Sequence, residues 1–371
     1  YHLIFIVKIK NNMTVCILGN SLTALTLAKA LVKQNIYVDI LYNKKNLHIS
    51  KTRTIGISKS NIDYLNQNVI NINKLVWKLK KIEIFSDNLK REKLINFQKD
   101  KDQIFSIVKN YDLYQILESN LSRNKYFKSK FINYKNLSFI NKYDLIINCD
   151  PSNVIAKKYF SKKIVKEYNI KAHTTIIEHE KILNDTAIQI FTNKGPLAFL
   201  PISDTQTSIV YSIPKTNVEN KENIETLIED KNFKYKIKSI DQIYSFEIKS
   251  LNLRSYYHDN ILAFGDLLHK VHPLAGQGFN MTIRDIKILL NIIKKKSEVG
   301  LTLDKSINIE FENKSKYKNL IFSNGVDLIH EFFNIERKTN SKLLSKSVQL
   351  ISKYPPINKI FTKIADRGFL F

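Results

Sequence analysis

The segment between Gly265 and Met281, GDLLHKVHPLAGQGFNM, combines residue types that favour contact with an electron-rich ring or a phosphate. An apolar run at 261–264 leads into a Gly-Asp pair, and a Gly-Gln-Gly turn precedes a helix predicted over 281–296. Glycines let a ligand approach the main chain, and a helix N-terminus presents N–H groups and partial positive charge. Asp266, at a strand end, can accept a ligand hydroxyl. The alternative is a glycine-containing loop that only caps a helix. The predicted ligand-binding residues of this segment are Gly265, Asp266, Pro273, Gly276, Gln277, Gly278, Phe279 and Asn280.

A second candidate lies near the beginning of the chain, where an apolar strand predicted at 14–18 is followed by Gly19. The dinucleotide fingerprint GxGxxG uses its glycines for a tight turn, close approach of a pyrophosphate and close helix packing. Here only the first position is glycine, and Ser21 and Ala24 occupy the other two. The ribose-binding acid expected after the second strand is replaced by Tyr42. A plain βαβ packing turn therefore stays open beside cofactor binding, for which the predicted residues are Gly19, Ser21, Leu22, Thr23 and Ala24.

Two further residues, Arg53 and Asp150, are candidates for ligand contact. Arg53 lies in a polar loop, where a solvated arginine is the alternative, and Asp150 precedes a proline, where a turn aspartate is the alternative. His269 and His272 lack a carboxylate or cysteine cluster at ligand spacing, so no metal site is predicted. The sequence also lacks the GxSxG elbow of serine hydrolases.

The elements needed to position these residues follow from hydrophobic patterning. A strand, a helix over 22–34 and a strand at 37–42 form a βαβ opening, and a further buried strand is predicted at 143–149. Strand-like runs separated by turn residues between about 165 and 255 indicate an antiparallel sheet. The predicted fold is α/β: a Rossmann-like nucleotide-binding domain with a parallel sheet, an antiparallel-sheet substrate domain and C-terminal helices.

The predicted domain organisation is interleaved. The nucleotide-binding domain comprises 13–76, 105–165 and 256–300, whereas 77–104 and 166–255 supply the substrate domain, and 301–371 form the C-terminal helical region. Residues 1–12 are too short an apolar stretch to span a bilayer and have the wrong charge order for a signal peptide. They are interpreted as a frayed extension or a misassigned start.

The composition limits the classes of binding partner that the protein is expected to have. The net charge is +25, from 59 basic and 34 acidic residues, and the excess is nearly all lysine. Such a bias is expected from an AT-rich coding genome, and attraction to an anionic membrane is the alternative. Nucleic acid is not expected, because the lysines are scattered and no nucleic-acid motif is present. Cys16 and Cys149 are predicted to be small core residues in a reducing compartment rather than a disulfide.

The run GDLLHKVHPLAGQGFNMTIRD at 265–285 closely resembles the signature of the ubiquinone-biosynthesis hydroxylases, which are flavin-dependent aromatic monooxygenases with the para-hydroxybenzoate hydroxylase fold. The stretch 187–212 resembles their substrate-domain strands around GPxAxLPL, and Arg53 and Trp77 match in context. The resemblance covers roughly 13–333. Beyond the reduced glycine fingerprint, the second family motif keeps Asp150 but loses its glycines.

The resemblance implies FAD as cofactor, with Arg53 and Asp150 among its contacts, and NAD(P)H as reductant. It also implies that O₂ adds at flavin C4a as a hydroperoxide and that oxygen passes to a polyprenylated phenol. It assigns catalytic positions to His272, Pro273, Leu274 and Ala275. The expected location is cytoplasmic, peripheral on the inner face of the cytoplasmic membrane, with the membrane surface and other quinone-biosynthesis proteins as partners. The alternatives are a flavin-dependent reductase or oxidase of an isoprenoid, and a non-catalytic paralogue acting as a basic membrane-associated scaffold.

Overall fold

The computed structural model of the protein describes residues 14–43, 50–89, 92–98, 103–133, 138–215, 223–272, 277–339 and 343–352. The strands in chain order are β1 Thr14–Leu18, β2 Tyr37–Tyr42, β3 Thr54–Ser58, β4 Trp77–Leu79, β5 Lys81–Ser86, β6 Lys93–Gln98, β7 Phe105–Lys109, β8 Phe127–Phe131, β9 Leu145–Asn148, β10 Lys163–His179, β11 Thr186–Phe191, β12 Pro196–Pro201, β13 Gln206–Pro214, β14 Ile237–Ile240, β15 Tyr244–Leu253, β16 Tyr257–His258, β17 Ile261–Ala263 and β18 His269–Lys270. The α-helices are α1 Leu22–Val32, α2 Lys59–Asn68, α3 Asn110–Ser122, α4 Val154–Tyr159, α5 Ile224–Lys231, α6 Gln277–Glu298, α7 Lys305–Thr339 and α8 Leu343–Ser352. Short 3₁₀ helices cover Asp87–Leu89, Ser138–Lys142 and Gly265–Leu267.

The first sheet is parallel apart from one edge strand. Its order is β16-β17-β9-β1-β2-β8, and only the β16–β17 pair is antiparallel. The central strands β1 and β9 are buried along nearly their whole length, as is usual for parallel strands inside a core. The largest hydrophobic core joins this sheet to α1, α3 and α6.

The second sheet is mostly antiparallel and contains nine strands within the described part of the chain. Its main path is β18-β15-β10-β13-β12-β11-β5-β6, with β14 paired to β10. One face carries a separate core with α5, in which Ile209, Tyr211 and Ile228 are buried. A third, small antiparallel sheet has the strand order β3-β7-β4.

The predicted fold class is confirmed: a parallel sheet, an antiparallel sheet and C-terminal helices are all present. Both cysteines are free and buried, as predicted. The predicted start of the helix at 281 is wrong, since α6 begins four residues earlier at Gln277 and ends at Glu298. The helix predicted over 22–34 ends at Val32. The domain boundaries stay predictions; within 77–104, β4 joins the small sheet whereas β5 and β6 join the large one.

No helix of the described residues has the length and apolar character required to cross a bilayer. The same part of the chain contains no cluster of three or more histidine, cysteine or carboxylate side chains suited to a metal ion.

Candidate functional site

The carboxyl ends of β1, β9 and β17 converge at one edge of the parallel sheet. These strands are parallel neighbours, with Val15 opposite Leu145 and Ile146 opposite Ile261. Because β2 lies on the other side of β1, the strand order reverses direction at β1. Open α/β sheets bind ligands in the crevice at such a point, outside the carboxyl ends of the strands. The candidate site therefore lies where the loops after these three strands meet.

Gly19 makes the turn from β1 into α1. Its φ is +98°, and a Cβ atom at this position would lie 3.0 Å from the Cβ of Asp150. Its N–H donates a hydrogen bond to the carbonyl of Leu41 at 2.8 Å, which places the turn beside the end of β2. Both the backbone conformation and the contact with Asp150 require glycine here.

The N-terminus of α1 faces this crevice with a residue that replaces the second fingerprint glycine. Ser21 is the N-cap, and its Oγ accepts a hydrogen bond from the Ala24 N–H at 3.3 Å. The amides of Leu22 and Thr23, in the first turn, have no acceptor within the helix. Together with the helix dipole they favour a phosphate group. The serine thus leaves the phosphate-binding feature of the turn in place.

Gly265 brings the loop after β17 against the same helix. Its φ is +61°, and a Cβ atom there would lie 2.6 Å from Cγ2 of Thr23. A contact that short does not occur between real atoms, so only glycine allows this loop to pack on α1. Asp266, the next residue, is exposed.

The carboxylates of Asp150 and Asp266 both lie near the buried Cys149. Burial raises the pKa of the Cys149 thiol above its usual range, and the negative charges of Asp266 and Asp150 raise it further. Oδ1 of Asp150 accepts hydrogen bonds from the N–H and the hydroxyl of Ser152, at 2.8 and 2.7 Å, which orients the carboxylate. Carboxylates accept hydrogen bonds from hydroxyl groups and do not bind phosphate directly. The set of amides and carboxylates fits a nucleotide that carries hydroxylated chains.

Arg53 lies where the small sheet meets the large one. It directly precedes β3, is exposed, and its guanidinium lies 5.7 Å from the ring centroid of Phe246 on β15. The neighbouring Thr54 donates a hydrogen bond from Oγ1 to Oγ of Ser208 on β13 at 2.8 Å. This contact fixes the β3 end against the large sheet, and Arg53 is left facing the boundary between the sheets.

Asn280 is predicted to contact the ligand through its main chain, and its side chain is fully engaged by the protein. Its Oδ1 accepts hydrogen bonds from the Ser58 N–H at 3.0 Å and from Nδ2 of Asn61 at 2.9 Å. Its Nδ2 donates to the carbonyl of Gly56 at 2.9 Å, and the residue is completely buried. Asn280 thereby ties α6 to the turn between β3 and α2. Only its main chain remains a candidate for ligand contact.

The structure describes only some residues of the predicted glycine-containing turn before α6. Gln277, Gly278 and Phe279 form the first turn of α6. A Cβ atom on Gly278 would meet only Cγ2 of Val271, at an ordinary 4.0 Å, so the protein itself does not require glycine there. Pro273, Leu274, Ala275 and Gly276 lie outside the described residues. Their roles stay predictions from the motif.

His269 has a structural partner that the sequence did not reveal. Its Nε2 lies 2.6 Å from Oδ2 of Asp285, and Oδ1 of the same carboxylate accepts a hydrogen bond from Asn319 at 3.0 Å. All three side chains are buried, so this contact joins β18, α6 and α7. The histidine and aspartate of the motif are both present in the printed sequence, but their pairing depends on the tertiary fold.

His272, predicted to be catalytic, lies in an aromatic cluster. It is completely buried, and its ring centroid lies 5.1 Å from that of Tyr168 on β10 and 4.5 Å from that of His330 on α7. Neither ring nitrogen has a hydrogen-bond partner among the described residues. Burial, followed by the charge of His330, lowers the pKa of His272 to about 3. The imidazole is therefore neutral at physiological pH, and His272 directly precedes Pro273 in the sequence.

This burial predicts a dependence of stability on pH. The unfolded chain binds a proton at His272 below pH ~6.5, whereas the folded chain does so only below about 3. The stabilisation is complete above pH ~6.5 and decreases as pH falls toward 3, by about 2 kcal/mol between pH 6.5 and 5. We expect His272→Phe to have a flatter profile of unfolding free energy over this range, measured by denaturant titration. The exposed His258, changed to Phe, is the control; equal slopes for His272→Phe and the wild type would contradict the prediction.

Comparison with known proteins finds relatives among flavin-dependent enzymes. Residues 161–296 match the FAD binding domain family. The chain is 22% identical to ubiquinone biosynthesis monooxygenase COQ6 of Drosophila melanogaster over 420 residues, which cover 93% of this chain and 88% of that protein. It is 24% identical to 3-demethoxyubiquinol 3-hydroxylase of Escherichia coli K12 over 165 residues, covering 43% of this chain and 42% of that enzyme. With COQ6 of Danio rerio the match spans 55% of the relative.

Solved structures share the fold. Superposition on p-nitrophenol 4-monooxygenase PnpA of Pseudomonas putida gives a TM-score of 0.76 at 11% identity, covering 97% of this chain and 100% of that one. Klebsiella pneumoniae HpxO, complexed with FAD and uric acid, gives 0.72 at 11% identity, covering 96% and 97%. Together with the sequence matches, these findings show that the chain has the fold of FAD-dependent monooxygenases and is similar in sequence to the ubiquinone-biosynthesis hydroxylases.

Proposed function

We propose that this protein hydroxylates the aromatic ring of a polyprenylated phenol in ubiquinone biosynthesis, with FAD as cofactor, NAD(P)H as reductant and O₂ as co-substrate. The observation that carries the proposal is the meeting of Gly19, Asp150 and Gly265 at one crevice of the parallel sheet. The motif that resembles the hydroxylases begins in this crevice and continues into α6.

The described residues fit FAD. Two glycines let the loops after β1 and β17 pack closely on Asp150 and Thr23 beside the crevice. The first turn of α1 offers amides to the pyrophosphate, and Asp266 is exposed to accept a ribityl hydroxyl. When bound, FAD would supply the redox chemistry: it can be reduced by NAD(P)H and, once reduced, can activate O₂. The protein would orient the ring, through Arg53 and the main chain at 276–280, and exclude water.

The phenol would lie between the parallel and the large sheet. The face of the large sheet that meets Thr54 carries three small side chains: Ser208, and Ala172 opposite Ser212. Small residues leave room for a flat ring beside β3. The proposed catalytic segment, His272 with Pro273, Leu274 and Ala275, follows β18 at the end of the same sheet.

The decisive experiment is the visible spectrum of the purified protein, followed by turnover. We expect a yellow protein that consumes O₂ with NADH or NADPH in the presence of a prenylated phenol, and a product heavier by one oxygen atom. Quinone intermediates in a deletion strain would identify the step. A colourless protein that added FAD does not change would refute the proposal, and a product without the extra oxygen would favour the reductase or oxidase alternative.

We further propose that the protein acts at the inner face of the cytoplasmic membrane through a stripe on α7. Tyr317, Ile321, Leu328 and Ile335, here termed the α7 stripe, are all exposed, Tyr317 by 75% and Leu328 by 72%. Their spacing places them on one side of the helix. Exposed lysines on the same helix and the net charge of +25 favour anionic lipid.

Vesicle flotation tests the α7 stripe. We expect the protein to float with vesicles that contain phosphatidylglycerol, and less so with neutral vesicles or at high salt. The double variant Tyr317→Ser, Leu328→Ser should lose most of this binding. Leu183→Ser, which removes an 81% exposed leucine between β10 and β11, is the control. Equal flotation of both variants would exclude this surface, and binding that high salt does not alter would exclude the proposed attraction between the lysines and anionic lipid.

A further inference from the structure

The end of β2 carries an aromatic side chain where the dinucleotide fingerprint expects an acid. Tyr42 is the last residue of β2, and the preceding carbonyl, of Leu41, accepts the N–H of Gly19 at 2.8 Å. In dinucleotide-binding folds an acid near this position accepts the ribose 2′-hydroxyl. Tyr42 thus lies beside the glycine turn but offers a phenol in place of a carboxylate.

The acid present on β2 is committed elsewhere. Asp39 lies three residues before Tyr42, and its Oδ2 accepts a hydrogen bond from the Tyr143 hydroxyl at 2.7 Å. Burial and this hydrogen bond raise the pKa of Tyr143 above its usual range. Asp39 therefore joins β2 to the start of β9 and does not replace the ribose acid.

A second aromatic residue ends the neighbouring strand. β8 is parallel to β2, and Phe131, its last residue, lies directly opposite Tyr42 in the register. The two rings are 6.0 Å apart between centroids, at an interplanar angle of 77°. The Phe131 side chain remains 45% exposed, although it lies at the ligand-binding edge of the sheet. The pair forms an apolar surface open to that edge.

The order of the strands aligns this pair with the glycine turn. Neighbouring strands are about 4.8 Å apart, so Phe131, two strands from β1, lies on the order of 10 Å from the phosphate position at α1. An adenosine extending from the pyrophosphate away from Asp266 passes over β2 and reaches β8. Asp150 and Asp266 lie on the opposite side of β1, where the flavin half would extend.

We infer that Tyr42 and Phe131 form an aromatic platform for the adenosine half of FAD, which replaces the ribose carboxylate of the fingerprint. The inference rests on the proposed function, because it requires FAD in the crevice. Aromatic rings stack on nucleobases through any π-face, and each such contact strengthens binding by about ten- to a hundredfold. Recognition here would depend on the adenine ring more than on the ribose hydroxyl.

The test compares two flavins on the full-length protein freed of cofactor. FAD carries the adenosine and FMN does not, so FMN reports on the flavin half alone. We expect Phe131→Ser to raise the Kd for FAD by on the order of tenfold, measured by isothermal titration calorimetry, and to leave the Kd for FMN unchanged. Phe131→Tyr, which keeps the ring, should bind FAD like the wild type.

The control is Phe233→Ser, which removes a 44% exposed phenylalanine that contacts Phe85 far from the crevice, in the large-sheet domain. It should change neither affinity. Equal weakening of FAD and FMN by Phe131→Ser, or no change in either, would overturn the inference while leaving the proposed function intact. A wild-type protein that binds no FAD would overturn both.

Discussion

Replacing Gly265 by alanine is expected to lower the free energy of unfolding by about 2–4 kcal/mol and to weaken FAD binding at least about tenfold. Two effects add. The residue has φ +61°, which costs an alanine about 1–2 kcal/mol, and the new Cβ would lie 2.6 Å from Cγ2 of Thr23. Because Thr23 belongs to the first turn of α1, relief of this clash must move the amides proposed to bind the pyrophosphate.

A control and a double variant separate these two effects. Gly300→Ala has a similar φ, +72°, but its Cβ would meet no atom within 4 Å, so it measures the conformational cost alone. Thr23→Ala removes Cγ2 and Oγ1, and we expect the double variant with Gly265→Ala to recover part of the lost stability. Denaturant titration gives the stabilities and calorimetry the FAD affinity. If Gly265→Ala cost no more than Gly300→Ala, the close packing of this loop on α1 would be disproved.

The parts of the site that the sequence predicted are those set by local patterns. The apolar run before Gly19 and the glycine itself predict a strand and a turn, and the structure gives both. The pair Gly265–Asp266 follows a predicted strand in the same way. A tight turn needs a residue without Cβ, and that requirement is visible one residue at a time. The reason for glycine at 265, contact with Thr23, was not predictable, because 242 positions separate these residues.

The features of the site that the sequence did not predict are contacts between side chains from distant segments. His269 and Asp285 are separated by 16 residues, and their contact requires β18 to lie against α6. The aromatic cluster of Tyr168, His272 and His330 joins three distant segments. Neither pairing follows from residue type, since a histidine can equally contact a ligand, a metal or the core.

The start of α6 shows the same limit for secondary structure. Glycine is a poor helix former, so Gly278 favoured a turn that continued to about 280. The structure begins the helix at Gln277 because tertiary contacts hold its first turn: Asn280 bonds to β3 and α2, and Phe279 packs on the main core. Packing overrides a propensity difference of about 1 kcal/mol.

Asn280→Ala is therefore expected to lower the free energy of unfolding by about 3–6 kcal/mol, which is a large part of the total stability of a protein. The substitution leaves the Ser58 N–H, the Gly56 carbonyl and the Asn61 amide without this partner in a buried place, and each lost partner costs about 1–3 kcal/mol. Since the same contacts hold the N-terminus of α6, FAD should also dissociate more readily.

Two variants make the Asn280 experiment specific. Asn68→Ala removes an exposed asparagine whose Nδ2 bonds to the Tyr64 carbonyl at 3.2 Å, and it should cost less than about 1 kcal/mol. Asn280→Asp keeps the two acceptor contacts but loses the donor to Gly56, so its stability should fall between those of the wild type and Asn280→Ala. Denaturant titration with and without FAD measures these values. A loss for Asn280→Ala no larger than that for Asn68→Ala would mean that the three hydrogen bonds do not anchor α6.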